Sequence, residues 1–293
     1  MGNHPSSRTV GGVLTALTHI VPPGALGGLF AAFPAPPFDA LRLGPVRLGL
    51  YGVMIGVGAL LAVRLFGSRL ESSGVGSRDD ASSIATIALP AGVIGSRVYH
   101  VVTDWQDYVD HPLAALQFWK GGLGIWGGIA GGIIAGVLVA RRRGLDAAAA
   151  VTAVVPALPL AQAFGRWGNW FNQELYGRPT RLPWGLEVTA PHRPPGLPPD
   201  TLFHPTFLYE SLGCLALTAL LLAVDRRVRL RPGRLLLVYV SGYTLLRFPV
   251  ESLRIDPAPI WVGLRLSQWV ALTLFILAAS LLLREYRRTD RSR

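Results

Sequence analysis

The segment Gly165-Arg166-Trp167-Gly168-Asn169-Trp170-Phe171-Asn172-Gln173-Glu174-Leu175-Tyr176-Gly177 is dense in polar groups for a chain this apolar. Arg166 offers a fixed fork of donors that suits a phosphate, Asn169 and Asn172 can orient phosphodiester or ester oxygens, and Glu174 can hold an arginine in place. The same composition would also serve as an interfacial belt of Trp and Arg that anchors a helix end. A second set runs from Tyr243 to Arg254. Arg247 sits in an apolar run, where a charge costs about 2.5 to 3.5 kcal/mol on insertion scales, so a function is expected of it. Glu251 follows at i+4, close enough for an ion pair that would orient the guanidinium, and Arg254 either extends the cluster or marks the interface. Tyr243 precedes Arg247 by four residues and shares its face, with its hydroxyl available to a head group, and Tyr51 is expected to face it from an earlier helix. Both tyrosines could equally be plain interfacial aromatics. In Phe203-His204-Pro205-Thr206-Phe207-Leu208-Tyr209-Glu210, Pro205 fits a first helical turn, with His204 at the cap and Tyr209 and Glu210 about a turn inside. Glu210 would then be buried, as a structural partner for an arginine or as a functional group. Gln268 reads as an interhelical hydrogen bond or a further polar site position.

Such groups need a scaffold, and the composition names its solvent. Of 293 residues, 51% are hydrophobic and 15% charged, too apolar for an ordinary soluble domain of this size. The predicted fold is all-α, a polytopic membrane protein of seven transmembrane helices. Their apolar runs lie at about 48 to 66, 83 to 102, 122 to 140, 146 to 164, 206 to 224, 234 to 250 and 266 to 283. Arginines follow the first, third, fifth and seventh runs, whereas the connections at 103 to 121, 165 to 205 and 251 to 265 mix acids with bases. That alternation predicts an outward N-terminus and a cytoplasmic C-terminus. Residues 1–47 are expected to form an extracytoplasmic arm, 48–284 the membrane domain, and 285–293 a basic cytoplasmic tail. An extra N-terminal helix is the competing reading of residues 10 to 33. The loop 165 to 205 is expected to form an extracytoplasmic cap, with the proline-rich stretch Pro191 to Pro199 as a solvated excursion. The net charge is +11, and arginine supplies all the basic residues except Lys120. With these charges at the ends of apolar runs rather than in a basic stripe, the bilayer and its anionic lipid are the expected partners and nucleic acid is not. The single Cys214 allows no intrachain disulfide or thiolate cluster, and no dense carboxylate cluster suggests a divalent metal, so neither metal nor cofactor is expected. The glycines of 121 to 136 suit close helix contact or backbone approach to lipid.

The thirteen residues from Gly165 to Gly177 resemble the complete signature of the prolipoprotein diacylglyceryl transferase family. Leu50 to Met54, Gly121 to Gly128, Phe203 to Glu210 and Tyr243 to Arg254 are similar to family segments in the same order, over roughly residues 40 to 285. The resemblance implies a bacterial inner-membrane enzyme that binds phosphatidylglycerol. In that family the lipobox cysteine thiol of a prolipoprotein signal peptide displaces glycerol phosphate from the lipid and forms a thioether. Arg166 and Arg247 match functional arginines there, implying phosphate binding and leaving-group stabilisation, and Tyr243 and Tyr51 match functional positions. One departure is Trp126, which stands where many members carry a histidine assigned a catalytic role. His100, His204 or Tyr243 could be the base. The expected alternative is that clustered arginines lower the thiol pKa until solvent or the lipid phosphate takes the proton. The aspartate cluster of a CDP-alcohol phosphotransferase and the motifs of intramembrane proteases are absent. A non-catalytic lipid-binding or transport protein of the same fold is the remaining competitor.

Overall fold

The computed structural model describes residues 32–44, 46–228 and 230–290. Most of the expected N-terminal arm, and residues 291–293 of the expected tail, lie outside the described residues. The described part begins against the cap: Phe33 exchanges backbone hydrogen bonds with Gly185 and Glu187. A hairpin of β1 (Ala40–Leu43) and β2 (Val46–Gly49) leads into α1 (Leu50–Ser72), which is followed by α2 (Arg78–Thr103) and α3 (Ile125–Arg142). Ser77 and Asp80 close a reciprocal capping box that starts α2, and Asp146 accepts two backbone N–H groups at the start of α4 (Ala147–Val154). Pro156 has no N–H to continue that helix, so the span breaks at Val155–Pro156 and resumes as α5 (Ala157–Phe171).

The helix therefore runs through the first half of the polar signature. The non-helical stretch expected from residue 165 begins at Asn172 instead. It forms a small antiparallel sheet of β3 (Pro179–Thr180), β4 (Leu186–Glu187) and β5 (Leu202–Phe203), with β5 in the centre. Leu186, Val188, Phe203 and Phe207 make its core, and Phe33, Trp167 and Trp170 close over them. The proline-rich stretch is largely exposed, as expected of a solvated excursion, and is tied down at points. Tyr176 donates its hydroxyl to the His192 carbonyl, and Arg193 donates to the Val188 carbonyl at 2.8 Å.

The chain then forms α6 (Thr206–Arg227), α7 (Arg234–Leu253), a hairpin of β6 (Ile260–Trp261) and β7 (Leu264–Arg265), and α8 (Leu266–Asp290). Among the described residues, six helical stretches are long and apolar enough to cross a membrane, counting Ala147–Phe171 as one. The protein is thus a mostly helical, polytopic membrane protein. The expected seventh span would be α7, which is not among those six; its Arg247, Glu251 and Pro249 dilute its apolarity.

At one end of the bundle arginines clamp the helix termini together. Arg69 of α1 reaches Asp225 of α6 at 2.9 Å and the Ala153 carbonyl of α4, and Arg143 bridges Asp79 and Asp80 of α2. The cap and hairpins occupy the other end. Between them, α2 and α3 cross on glycine: a Cβ added at Gly127 would lie 2.1 Å from the Gly95 carbonyl oxygen. That is the small-residue crossing by which membrane helices approach in the absence of a hydrophobic driving force. The 104–124 connection folds around Arg97, whose guanidinium donates to the carbonyls of Ala114, Ala115, Gly121 and Gly122.

Candidate active site

Three helices converge on one carboxylate. Glu210, in the second turn of α6, has a side chain only 3% exposed, a position that an ionised group tolerates when it is paired. Arg166 of α5 brings Nη2 to 2.9 Å of Oε1, Arg247 of α7 donates to Oε2 at 3.0 Å, and the Tyr243 hydroxyl donates to Oε1 at 3.0 Å. Arg247 also pairs with Glu251, one turn further along α7 and equally buried.

From Glu251 the charges continue to alternate. Its Oε2 lies 3.4 Å from Arg254 Nη1 and its Oε1 2.7 Å from Arg265 Nε. Arg254 then grips Asp256 with two donors at 2.7 and 2.9 Å, and Arg265 reaches the same carboxylate at 2.8 Å. Burial alone would raise the Asp256 pKa, but the hydrogen bonds and charge of Arg254, with the charge of Arg265, hold it below the usual carboxylate value. Four guanidinium groups against three carboxylates leave this row one positive charge in excess. The excess matches the single negative charge of a phosphodiester.

The row opens on a small cleft lined by Arg166, Asn169, Leu175, Thr206, Phe207, Glu210 and Arg254. The turn that ends α5 shapes its rim. Gln173 and Leu175 both adopt left-handed backbone conformations, at φ 50° and 58°. Strain of this kind, of order 1–3 kcal/mol per residue, persists where neighbours over-determine the conformation. Here the Thr206 hydroxyl donates to the Leu175 carbonyl, and the Gln173 side chain accepts the Thr189 amide at 2.8 Å. Gly177 then passes under His204, where an added Cβ would sit 2.7 Å from the histidine Cβ.

The expected residues divide into those that meet in this network and those that do not. Arg166, Asn169, Tyr243, Arg247, Glu210, Glu251 and Arg254 are joined. Glu174 departs from expectation, because it accepts the amides of Asn169 at 2.8 Å and Asn172 at 3.5 Å rather than gripping an arginine. Asn169 in turn accepts from Arg166 at 3.4 Å, so Glu174 acts on the guanidinium through an amide. Tyr51 lies against Gly168, where an added Cβ would be 2.6 Å from its ring. His204 pairs its Nδ1 with the Tyr209 hydroxyl at 3.2 Å, and Trp184 donates to the same hydroxyl. Burial and the nearby Arg178 charge lower the His204 pKa, which favours the neutral ring. Gln268 accepts the Arg265 amide and donates to Ser252, joining α8 to α7. His100 lies 3.0 Å from Asp104 and edge-on to Tyr108, on the α2 side of the molecule, and Trp126, in the first turn of α3, is half exposed. Asp256 and Arg265 are network members that the sequence did not single out. Their mixed charge, taken along the chain, signals only an outward connection.

The model of the prolipoprotein diacylglyceryl transferase family matches residues 39–284, most of the chain. The chain belongs to this family. It is 46% identical over 253 residues to phosphatidylglycerol–prolipoprotein diacylglyceryl transferase 1 of Streptomyces coelicolor, covering 85% of this chain and 72% of the relative. It is 45% identical over 266 residues to the corresponding Frankia alni protein, with 89% and 70% covered. The Cutibacterium acnes protein of that name is 44% identical over 260 residues, covering 88% of each. The match takes in every residue of the alternating charge row, and only residues 1–38 and 285–293 fall outside it.

Proposed function

We propose that this chain transfers the diacylglyceryl group of phosphatidylglycerol to a prolipoprotein cysteine, with the arginines gathered on Glu210 and Glu251 as the phosphate clamp. The single observation that carries the assignment of roles is the sharing of Glu210 by Arg166 and Arg247, from helices on either side of α6, at the edge of a cleft. A carboxylate held between two guanidiniums fixes both forks while using part of each one's hydrogen-bonding capacity, which leaves other donors for a ligand.

In this reading the lipid phosphate docks against Arg166, Arg247 and Arg254, and Asn169 orients one of its oxygens. The cysteine sulfur of the lipobox attacks the glyceryl carbon that bears the phosphate ester. The carbon–sulfur bond forms as the carbon–oxygen bond breaks, and glycerol phosphate leaves with the electron pair. Negative charge that builds on the departing oxygen is met by donors already in place. The same positive field favours the thiolate, and the thiol proton passes to solvent or to the phosphate. Tyr243 positions Glu210. His204 and Tyr209 belong to the rim, where Asn172, Glu174 and Tyr51 frame the approach of lipid or peptide. The chain would sit in the bacterial inner membrane with its cap outside, its N-terminus outward and its C-terminus in the cytoplasm.

The test is turnover by purified protein supplied with phosphatidylglycerol and a lipobox peptide, measuring thioether peptide and glycerol phosphate together. Equimolar appearance of both, in wild type and within about threefold in Trp126→His, a small change on the scale of general acid–base catalysis, supports the clamp without a dedicated base. Folded wild type that binds lipid but releases neither product would replace this reading with lipid binding alone.

A further inference from the structure

Arg265 is the one guanidinium of the charge row that lies on a hairpin rather than on a helix or its immediate end. It closes β7, ahead of α8, and each end of its fork has a separate task. Nε lies 2.7 Å from Glu251 Oε1, within ion-pair range though the N–H is not aligned for a hydrogen bond. Nη2 donates to Asp256 at 2.8 Å, and Nη1 donates to the Arg254 carbonyl at 3.1 Å. Its own backbone N–H is held by Gln268 of α8, which also donates to Ser252 of α7. The residue is therefore locked to both helices and to the backbone between them.

We infer that Arg265 is a positioning residue that occupies the second oxygen of Glu251 and the Asp256 carboxylate, so that Arg247 and Arg254 keep guanidinium edges free for the lipid phosphate. This rests on the transferase reading above. Glu251 has two oxygens and three arginine neighbours. Arg247 and Arg254 share Oε2, and Arg265 stands at Oε1. Without Arg265, Oε1 would lose its cation, and the carboxylate could turn to take either remaining guanidinium through both oxygens, the geometry such pairs prefer. That would withdraw the donors a phosphate needs. It would also remove the row's single excess positive charge.

The hairpin that carries Arg265 has a turn of unusual chemistry. Val262 and Gly263 are both left-handed, at φ 48° and 77°, a pairing that favours Asn-Gly and that a β-branched residue resists. Val262 is 92% exposed, between the exposed Trp261 and the strand that ends in Arg265. The strain is retained a few residues from the charge row, and Trp269 steadies the hairpin by donating to the Trp261 carbonyl at 2.8 Å.

The experiment is steady-state transfer by full-length protein, with phosphatidylglycerol and lipobox peptide varied separately, for wild type, Arg265→Gln and Arg265→Lys, each with a melting curve. Arg265→Gln is expected to raise KM for phosphatidylglycerol about tenfold, the scale of one charged hydrogen bond, with KM for the peptide unchanged. Arg265→Lys restores the charge but cannot span Glu251, Asp256 and the Arg254 carbonyl together, so its KM for lipid is expected between the two. If Arg265→Gln does not stay folded, Arg265→Lys carries the test by the same split. Unchanged KM for lipid in a folded variant overturns the inference, as does an equal loss for lipid and peptide that follows the melting temperature. Active wild type in the same assay keeps such a failure separate from failure of the transferase reading.

Discussion

Replacing Arg247 by alanine should separate folding from chemistry. Its guanidinium touches two carboxylates, Glu210 and Glu251, whose side chains are 3% exposed. Breaking a buried ion pair ordinarily costs about 3–5 kcal/mol, because the partner left behind remains charged in a poor solvent. Neither carboxylate is left alone here. Glu210 keeps Arg166 at 2.9 Å and the Tyr243 hydroxyl at 3.0 Å, and Glu251 keeps Arg265 at 2.7 Å and Arg254 at 3.4 Å. The expected loss of stability is therefore nearer about 1.5 kcal/mol, the scale of one charged hydrogen bond. Activity should fall much further, since one donor aimed at a developing oxyanion contributes about 100- to 1000-fold to kcat. Initial rates of thioether formation, with a thermal melt and helical circular dichroism on the same preparation, measure both. A folded variant that retains more than about one tenth of the wild-type rate refutes the phosphate role, because the loss would fall well short of the oxyanion scale. Loss of the fold would instead show that the neighbouring arginines do not share the load.

Two further outcomes follow from the rim of the site. Gly177→Ala places a methyl group 2.7 Å from His204 Cβ and 3.1 Å from the Leu253 carbonyl oxygen, so it should destabilise by about 1–3 kcal/mol, read as a lower melting temperature; an unchanged melt would mean that the loop moves freely there. His204 has a lowered folded pKa, so the folded state binds fewer protons than the unfolded state at mildly acid pH. Its contribution to stability is full above about 6.5, the unfolded value, and is lost as pH falls through the folded pKa. His204→Gln should flatten the fall in melting temperature between pH 7 and pH 5, and an unaltered slope would contradict the assignment.

Much of the scaffold is legible because a lipid environment demands long apolar runs, and those runs became helices. Local density misleads where the signature begins. Trp167, Asn169 and Trp170 read along the chain as a polar loop, but on a helix the two tryptophans turn into the cap core while Asn169 turns toward Arg166. The pair Arg247 and Glu251 is readable from i+4 spacing. The link from Arg247 to Glu210 is not, since the residues are thirty-seven apart and meet only because α6 packs on α7. Glu174 was legible as an acid that serves an arginine but not as one that acts through Asn169. Arg265 stayed hidden because its neighbours in sequence are apolar, and its partners come from the end of another helix.

The arrangement stands or falls on whether Arg166 and Arg247 serve one phosphate through Glu210. A cycle of Arg166→Ala, Arg247→Ala and the double variant, read as kcat/KM for phosphatidylglycerol in the transfer assay, measures this directly. Groups that act as a unit lose their effects non-additively, so the double variant should be slower than the worse single variant by less than about tenfold. Losses that simply multiply would show that the two arginines act independently, and the shared clamp would be wrong.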